Sequence, residues 1–215
     1  MAERVKSRRP YDSPRRREQA GATRGAILDA ARVLFLDRGY VGTTVEAIAE
    51  RARVSPATVY LAFETKRAVL AALVDVSIAG DDAPVPVLER DWVQQLRDEP
   101  DLRRRIRILA RNGGLILERR APIDAVLHAA AATDPEIRAL WEEGHAQRLA
   151  GQRALLRLVA GRDGLRNGLS PAAATDILYA IGSAETYRSL TVDRGWSASR
   201  FEAWYAEAIE RLLFR

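Results

Sequence analysis

The strongest constraint on this chain lies between Gly39 and Lys66, where signals that stop and start helices recur at short intervals. Upstream, Ile27, Ala31, Leu34 and Phe35 fall at i, i+4, i+7 and i+8, and Gly39 follows the last turn where a C-cap belongs. This predicts an amphipathic helix that begins near Thr23. Thr43 and Thr44 open a second segment with Val45, Ile48, Ala49 and Ala52 on one face. Thr44 is its N-cap candidate, and Glu46 lies in the first turn, where the helix dipole favours an acid. Ser55-Pro56 then supplies a cap followed by proline at the first helical position, where its missing N–H costs nothing. The third helix runs from about Pro56 to Ala62 with Val59 and Phe63 turned inward, and a fourth starts near Lys66. Segments two and three, joined by a short turn and braced by the first, read as a helix-turn-helix.

Residues 80–87, GDDAPVPV, interrupt the periodicity with glycine, two acids and two prolines and mark a boundary or a loop. Helical spacing resumes over about Leu88–Arg97, Leu102–Arg119, Pro122–Ala132 and Pro135–Val159. Gly113-Gly114 is a weak point, a kink or a close helix approach with room for a ligand. After a loop at 161–171, one helical segment spans Ser170-Pro171 to Leu190, and a last one carries Phe201, Trp204, Tyr205, Ala208, Ile209, Leu212 and Leu213 as one apolar stripe. No segment alternates as a strand does. The expected fold is all-α: an N-terminal three-helix helix-turn-helix domain at 21–66 and a larger helical domain at 67–215, preceded by a flexible basic arm at 1–20.

Charge agrees with that division. Residues 1–80 hold 14 Lys or Arg against 9 Asp or Glu, whereas residues 81–215 hold 20 of each. The arm alone has seven bases against three acids, so the helix-turn-helix itself is nearly neutral. A basic module on a neutral body suits a polyanionic partner. The absence of Cys excludes a disulfide framework, a thiolate metal site and a cysteine nucleophile, which fits a reducing cytoplasm. No run of apolar residues is long enough to span a membrane, and the charged start is not that of a secretory signal.

A major groove about 12 Å wide admits one α-helix. Ala57, Thr58, Leu61 and Ala62 are the outward candidates on the third helix, and Tyr60 can offer its hydroxyl to a phosphate. The apolar ones can read thymine methyls but not guanine, so readout would lean on Thr58, on DNA shape, and on Arg15, Arg16 and Arg17 in a minor groove. The same spacing also fits a tight three-helix packing unit with no nucleic-acid role.

Residues 35–70, FLDRGYVGTTVEAIAERARVSPATVYLAFETKRAVL, closely resemble the DNA-binding domain of the TetR family of bacterial repressors. The resemblance rests on Phe35, Gly39-Tyr40, Thr43-Thr44, Ile48-Ala49, Val54-Ser55, Thr58, Tyr60, Phe63, Lys66 and Leu70. It implies a homodimer on a palindromic double-stranded operator, with a helical C-terminal domain that dimerises and binds an apolar small-molecule effector. It implies too that Thr44 meets a phosphate, that Ala57, Thr58 and Leu61 face bases, and that Tyr60 and Lys66 grip the backbone. Arg53 stands where the family has glycine, which means either a residue at positive φ, free to add a phosphate contact, or a different turn.

In the C-terminal domain Trp92, Trp141 and Tyr187 are the effector-contact candidates. Ile177, Ile181, Phe201, Tyr205, Ile209 and Leu212 are the candidates for an isologous dimer interface, or else simply cover the domain's own core. The arginines at 103, 104, 105 and 107 sit beside Asp98, Glu99 and Asp101 and read as a solvated, internally paired helix start. His128 and His145 have no helix-spaced partner of metal-ligand type, and no phosphate-loop, dinucleotide or nucleophile-elbow motif occurs. The sequence therefore points to neither catalysis nor a metal or cofactor. The alternatives to an effector-released regulator are a DNA-binding protein without an effector, acting architecturally or through a protein partner, and, more distantly, a helical enzyme.

Overall fold

A computed structural model describes residues 14–161 and 163–215, and among them there are ten α-helices and no strand. Residues 1–13, most of the expected arm, and the side chains of Arg15, Arg16 and Arg17 lie outside what is described. Helix α1 spans Pro14–Arg38. It begins well before Thr23 because Arg, Glu, Gln and Ala propagate a helix readily even without an apolar face, so residues 14–20 are helix where the composition suggests an arm. Then come α2 (Val45–Ala52), α3 (Pro56–Phe63) and α4 (Lys66–Ala79). Each starts on a hydroxyl that accepts a backbone N–H: Thr44 from Ala47, Ser55 from Thr58 and Thr65 from Ala68.

The second part comprises α5 (Asp91–Asp98), α6 (Leu102–Ala131), α7 (Pro135–Ala160), α8 (Pro171–Ile181), α9 (Ala184–Arg188) and α10 (Ala198–Ile209). Two breaks differ from expectation. Pro122 lies inside α6, which runs unbroken where the sequence predicts a stop near Arg119. The cost of an interior proline, about 3 kcal/mol, is outweighed by the burial of Leu117, Ala121, Ile123 and Leu127 on both sides of it. Conversely the segment from Pro171 to Leu190 is split, because α8 ends at Gly182 and the Ser183 hydroxyl caps α9 by accepting from Thr186 N.

Two apolar cores result. One gathers α1–α4 but also takes Ile123, Leu127, Ala130 and Ala131 from α6 and Ile137 from α7. The other joins α5 and the first half of α6 to α7–α10 around Leu96, Ile106, Leu178 and Phe201. Helix α6 thus belongs to both, and α4 packs against α6 and α7.

Candidate nucleic-acid interface and the cavity behind it

Helix α3 is held from below by Val59 and Phe63, both buried, and presents Ala57, Tyr60 and Leu61 to solvent. Leu61 is 88% exposed, an unusual position for leucine on a helix with no partner. Thr58 is half-buried, its hydroxyl 2.8 Å from that of Ser55, so the cap and the side chain share a hydrogen bond. Thr44 is exposed at the N-terminus of α2 and accepts from Ala47 N at 3.2 Å, which leaves its own O–H free to donate. The turn between α2 and α3 is made by Arg53 at φ 57° and ψ 40°, whose N–H closes on Ala49 O and Glu50 O. Arginine therefore occupies the left-handed conformation that glycine adopts most easily, and its side chain is exposed.

Lys66, expected to grip a phosphate, is engaged within the protomer. Its Nζ donates to Tyr40 O at 2.8 Å and Thr43 O at 2.9 Å, and lies 4.2 Å from the centre of the Tyr40 ring. Burial pushes its pKa down. The ammonium ties the loop before α2 to the start of α4, because those carbonyls stand within its reach and offer what a phosphate would offer. Thr43 secures the same loop from inside, donating to Gly39 O at 2.8 Å or Leu34 O at 3.1 Å.

Helix α4 connects this head to the rest of the chain and is held at both ends. Arg67 donates to Glu136 O at the start of α7 (3.4 Å), and Arg119 of α6 donates to Ser77 O (3.1 Å) and Ile78 O (3.4 Å), two carbonyls of the last turn of α4. Arg24 of α1 makes a third connection. Its guanidinium pairs with Asp82 at 2.6 Å, donates to Ala62 O at 3.4 Å and lies 4.2 Å from the Phe63 ring centre. The 80–87 loop is fixed further by Asp81, whose carboxylate pairs with Arg90 at 2.6 Å and is held down to a pKa of about 2 by that hydrogen bond.

Under that loop is a cavity of about 930 Å³, lined by residues of α1 and of α4 through α10. Apolar walls come from Val76, Leu109, Ile116, Leu117 and Leu155, and Trp92 closes one side. Its polar end holds Asp75, Arg120, Asp124, Arg148 and Gln152. Burial pushes the Asp75 carboxyl up from its ordinary range. The Arg120 guanidinium donates to Asp124 Oδ2 at 2.9 Å, while Arg148 stacks 3.6 Å from the centre of the Tyr179 ring and donates to Tyr179 O at 3.1 Å. His145 is hydrogen-bonded to the Tyr179 hydroxyl, and burial and the nearby Arg148 charge push its pKa down.

Of the three effector-contact candidates only Trp92 reaches this cavity. Trp141 instead packs on the first core between His128 and His145, and Tyr187 is buried edge-on against Phe201 at 4.7 Å. Tyr205 lines the cavity in their place. It sits between Gly113 of α6, where a Cβ would come within 3.1 Å of its ring, and Gly182, where a Cβ would collide with its hydroxyl. Burial pushes that hydroxyl's pKa up. Gly113 is thus a site of close helix approach, the sequence signal that points here. The polar residues give no such signal, because they come from positions far apart in the chain.

Two further expectations are corrected. Phe201, Tyr205 and Ile209 are buried within the protomer, since the centre of so wide an apolar stripe faces α6 and α8; they cannot also form a dimer interface. Leu212 is exposed, and Ile177 and Ile181 are partly so. In the arginine cluster, Arg105 is only 6% exposed. It bonds Val159 O at 2.8 Å and Pro100 O at 2.8 Å and pairs with Asp163, so it joins α6 to the end of α7 rather than lying in solvent. Among the described residues no helix is long and apolar enough to cross a membrane.

Comparison with known proteins matches residues 27–73 to the family described as bacterial regulatory proteins, tetR family. Over 74 residues the chain is 45% identical to YdeS of Bacillus subtilis (strain 168), an uncharacterized HTH-type transcriptional regulator. That match covers 34% of this chain and 37% of YdeS, so the chain spans little more than a third of the curated relative it matches. Among solved structures, NalD, the secondary repressor of the MexAB-OprM multidrug efflux pump in Pseudomonas aeruginosa, has the same fold with a TM-score of 0.67 and 24% identity, over 92% of this chain and 98% of that one. A SmeT-triclosan complex gives a TM-score of 0.68 at 22% identity, over 90% and 92% of the two chains. PfmR from Thermus thermophilus gives 0.62 at 20%, over 86% and 97%. The helix-turn-helix at residues 27–73 thus matches the family of bacterial regulatory proteins described as tetR, and the chain as a whole shares the fold of solved regulators such as NalD.

Proposed function

We propose that the chain is a transcriptional repressor that binds a palindromic operator as a homodimer and leaves it when a small molecule occupies the cavity. The observation that carries the DNA-binding half is the outward face of α3, where Ala57, Tyr60 and Leu61 stand in solvent on a helix pinned from beneath. In this reading Leu61 and Ala57 meet thymine methyls, Thr58 supplies the one hydrogen-bonding side chain to base edges, and Tyr60, Thr44 and Arg53 contact phosphates. Lys66 acts as a positioning residue through the loop it ties down. Arg15, Arg16 and Arg17 are assigned, from sequence alone, to a groove beside the reading head.

The cavity supports a ligand-released regulator over an effector-free one, because an effector-free domain would have a filled interior. Release follows from α4, which lines the cavity with Asp75, Val76 and Ile78 and begins at the loop that Lys66 holds. A ligand shifts the dimer off the operator only by binding the DNA-incompetent arrangement more tightly. For the dimer, the outward side of α8, with Ala173, Ile177 and Ala180, and Leu212 nearby in sequence to α10 form a self-complementary face of small and apolar residues.

Selection of bound fragments from random duplex DNA by the full chain tests the reading. The expected product is a palindrome whose half-sites lie about 34–36 Å apart. Recovery of no preferred sequence, or of a single half-site, contradicts it. On the selected site Leu61→Ala weakens binding about tenfold, the cost of one base contact, in an electrophoretic or anisotropy titration.

A further inference from the structure

Among the described residues three buried side-chain polar atoms have no hydrogen-bond partner: Asp124 Oδ1, Arg148 Nε and Gln152 Oε1. All three residues line the same cavity. Buried polar groups are otherwise nearly always paired, so three unmet atoms around one cavity specify what it is built to receive. The other atoms of these groups show which part of the demand remains. Asp124 Oδ2 already accepts from Arg120 at 2.9 Å, so the carboxylate's charge is compensated and only its second oxygen seeks a donor. The terminal nitrogens of Arg148 donate to Gly182 O at 3.4 Å and Tyr179 O at 3.1 Å, and its plane covers the Tyr179 ring, so only Nε seeks an acceptor. Gln152 Oε1 seeks a donor.

The remaining demand is therefore two donors and one acceptor, and the charges at this end, Asp75 and Asp124 against Arg120 and Arg148, balance. A carboxylate ligand would meet Asp75 and Asp124, and an ammonium would meet Arg120 and Arg148. An uncharged group with two N–H donors and one acceptor satisfies all three atoms without either conflict, while Leu109, Ile116, Leu117 and Leu155 offer dispersion contact to an apolar remainder. We infer that the ligand of this cavity is an uncharged amphiphile, an apolar body bearing a primary-amide-type group whose two N–H donate to Asp124 Oδ1 and Gln152 Oε1 and whose C=O accepts from Arg148 Nε. This rests on the reading of the cavity as an effector site and names the chemistry of the effector, which the aromatics in the sequence suggest to be simply apolar.

A matched pair of probes tests it. Biphenyl-4-carboxamide and 4-isopropenylbiphenyl share a shape, a biphenyl ending in a planar three-atom branch, but only the carboxamide has two N–H donors and a C=O. In calorimetric titration of the full chain, the carboxamide should bind at least about tenfold more tightly, equivalent to about 1.4 kcal/mol. Gln152→Leu should weaken the carboxamide about tenfold and leave the hydrocarbon unchanged or tighter. Gln152→Glu, which retains the acceptor, should keep the carboxamide and lose the hydrocarbon; it decides the matter should the leucine variant not fold. Equal affinities, or a variant that moves both probes alike, overturn the inference while leaving an apolar effector site standing. Binding of neither probe also overturns it. Carboxamide that binds as expected to free and operator-bound dimer equally sinks the release mechanism and leaves the inference intact.

Discussion

Arg53 holds a backbone conformation that costs a non-glycine residue about 1 kcal/mol, in a turn that glycine would make without that cost. A strained residue retained beside a reading helix suggests that the side chain contributes something glycine cannot. Arg53→Gly is therefore expected to raise stability by roughly 0.5–1 kcal/mol, seen as a higher urea midpoint at constant slope. It should also weaken operator binding and reduce the log–log salt slope by about 0.9, the loss of one phosphate contact. A stabilised variant with an unchanged slope would show that Arg53 only tolerates its turn. The opposite case is Gly182, where a methyl group has no place to go against Tyr205 and lies 3.0 Å from Leu178 O. Gly182→Ala should cost roughly 1–3 kcal/mol in denaturant, with partial recovery when Tyr205→Phe is added, because only the hydroxyl part of the clash is then relieved. Both positions are marked in the sequence, one by a departure from a motif and the other by a glycine. What the sequence leaves hidden is the partner: nothing near Gly182 names Tyr205, and nothing near residues 103–107 separates buried Arg105 from its exposed neighbours.

At the scale of elements, the reading head was legible because its signals are local. Hydroxyl caps, glycine, N1 proline and four-residue spacing all act within one turn, and α2, α3 and α4 begin where those signals stand. The boundaries that differ were decided by tertiary contact. Pro122 should have ended a helix, but buried side chains on both sides carry α6 through it. Pro122→Ala is expected to stabilise the chain by about 1–3 kcal/mol by restoring an interior hydrogen bond, measurable as a rise in melting temperature; a fall would show that the ring itself fills space between α1 and α6. At its other end α1 extends into the basic segment, which places Arg15, Arg16 and Arg17 on a helix rather than a loose arm. Deleting residues 1–13, which removes Arg4, Lys6, Arg8 and Arg9, should still flatten the salt dependence of operator binding, by up to about 0.9 per lost phosphate contact. An unchanged slope would assign the electrostatic pull to α1 and the turn at Arg53.

For the molecule as a whole, the cavity and the reading head are joined by few polar contacts, of which Arg24–Asp82 is the most direct. Both partners are about a third exposed, at 35%, so the pair adds little to stability. Yet it links the loop over the cavity to α1 and, through Ala62 O and Phe63, to the end of α3. Asp82→Asn is therefore expected to leave the urea midpoint nearly unchanged while altering operator affinity severalfold; equal and small effects on both would make the pair a surface ornament. The cavity was legible only in outline, as a helical domain with aromatics. Its walls come from eight helices, and its unmet atoms belong to residues spread from 124 to 152, which no local pattern assembles. The core that α1–α4 share with Ile123, Leu127 and Ile137 has a consequence for how such proteins can be recombined. Reading heads are not interchangeable cartridges. A chimera joined in the 80–87 loop would set a foreign head on a surface shaped for this one, and a working exchange has to carry the second half of α6 and the first turn of α7 along with the helix-turn-helix.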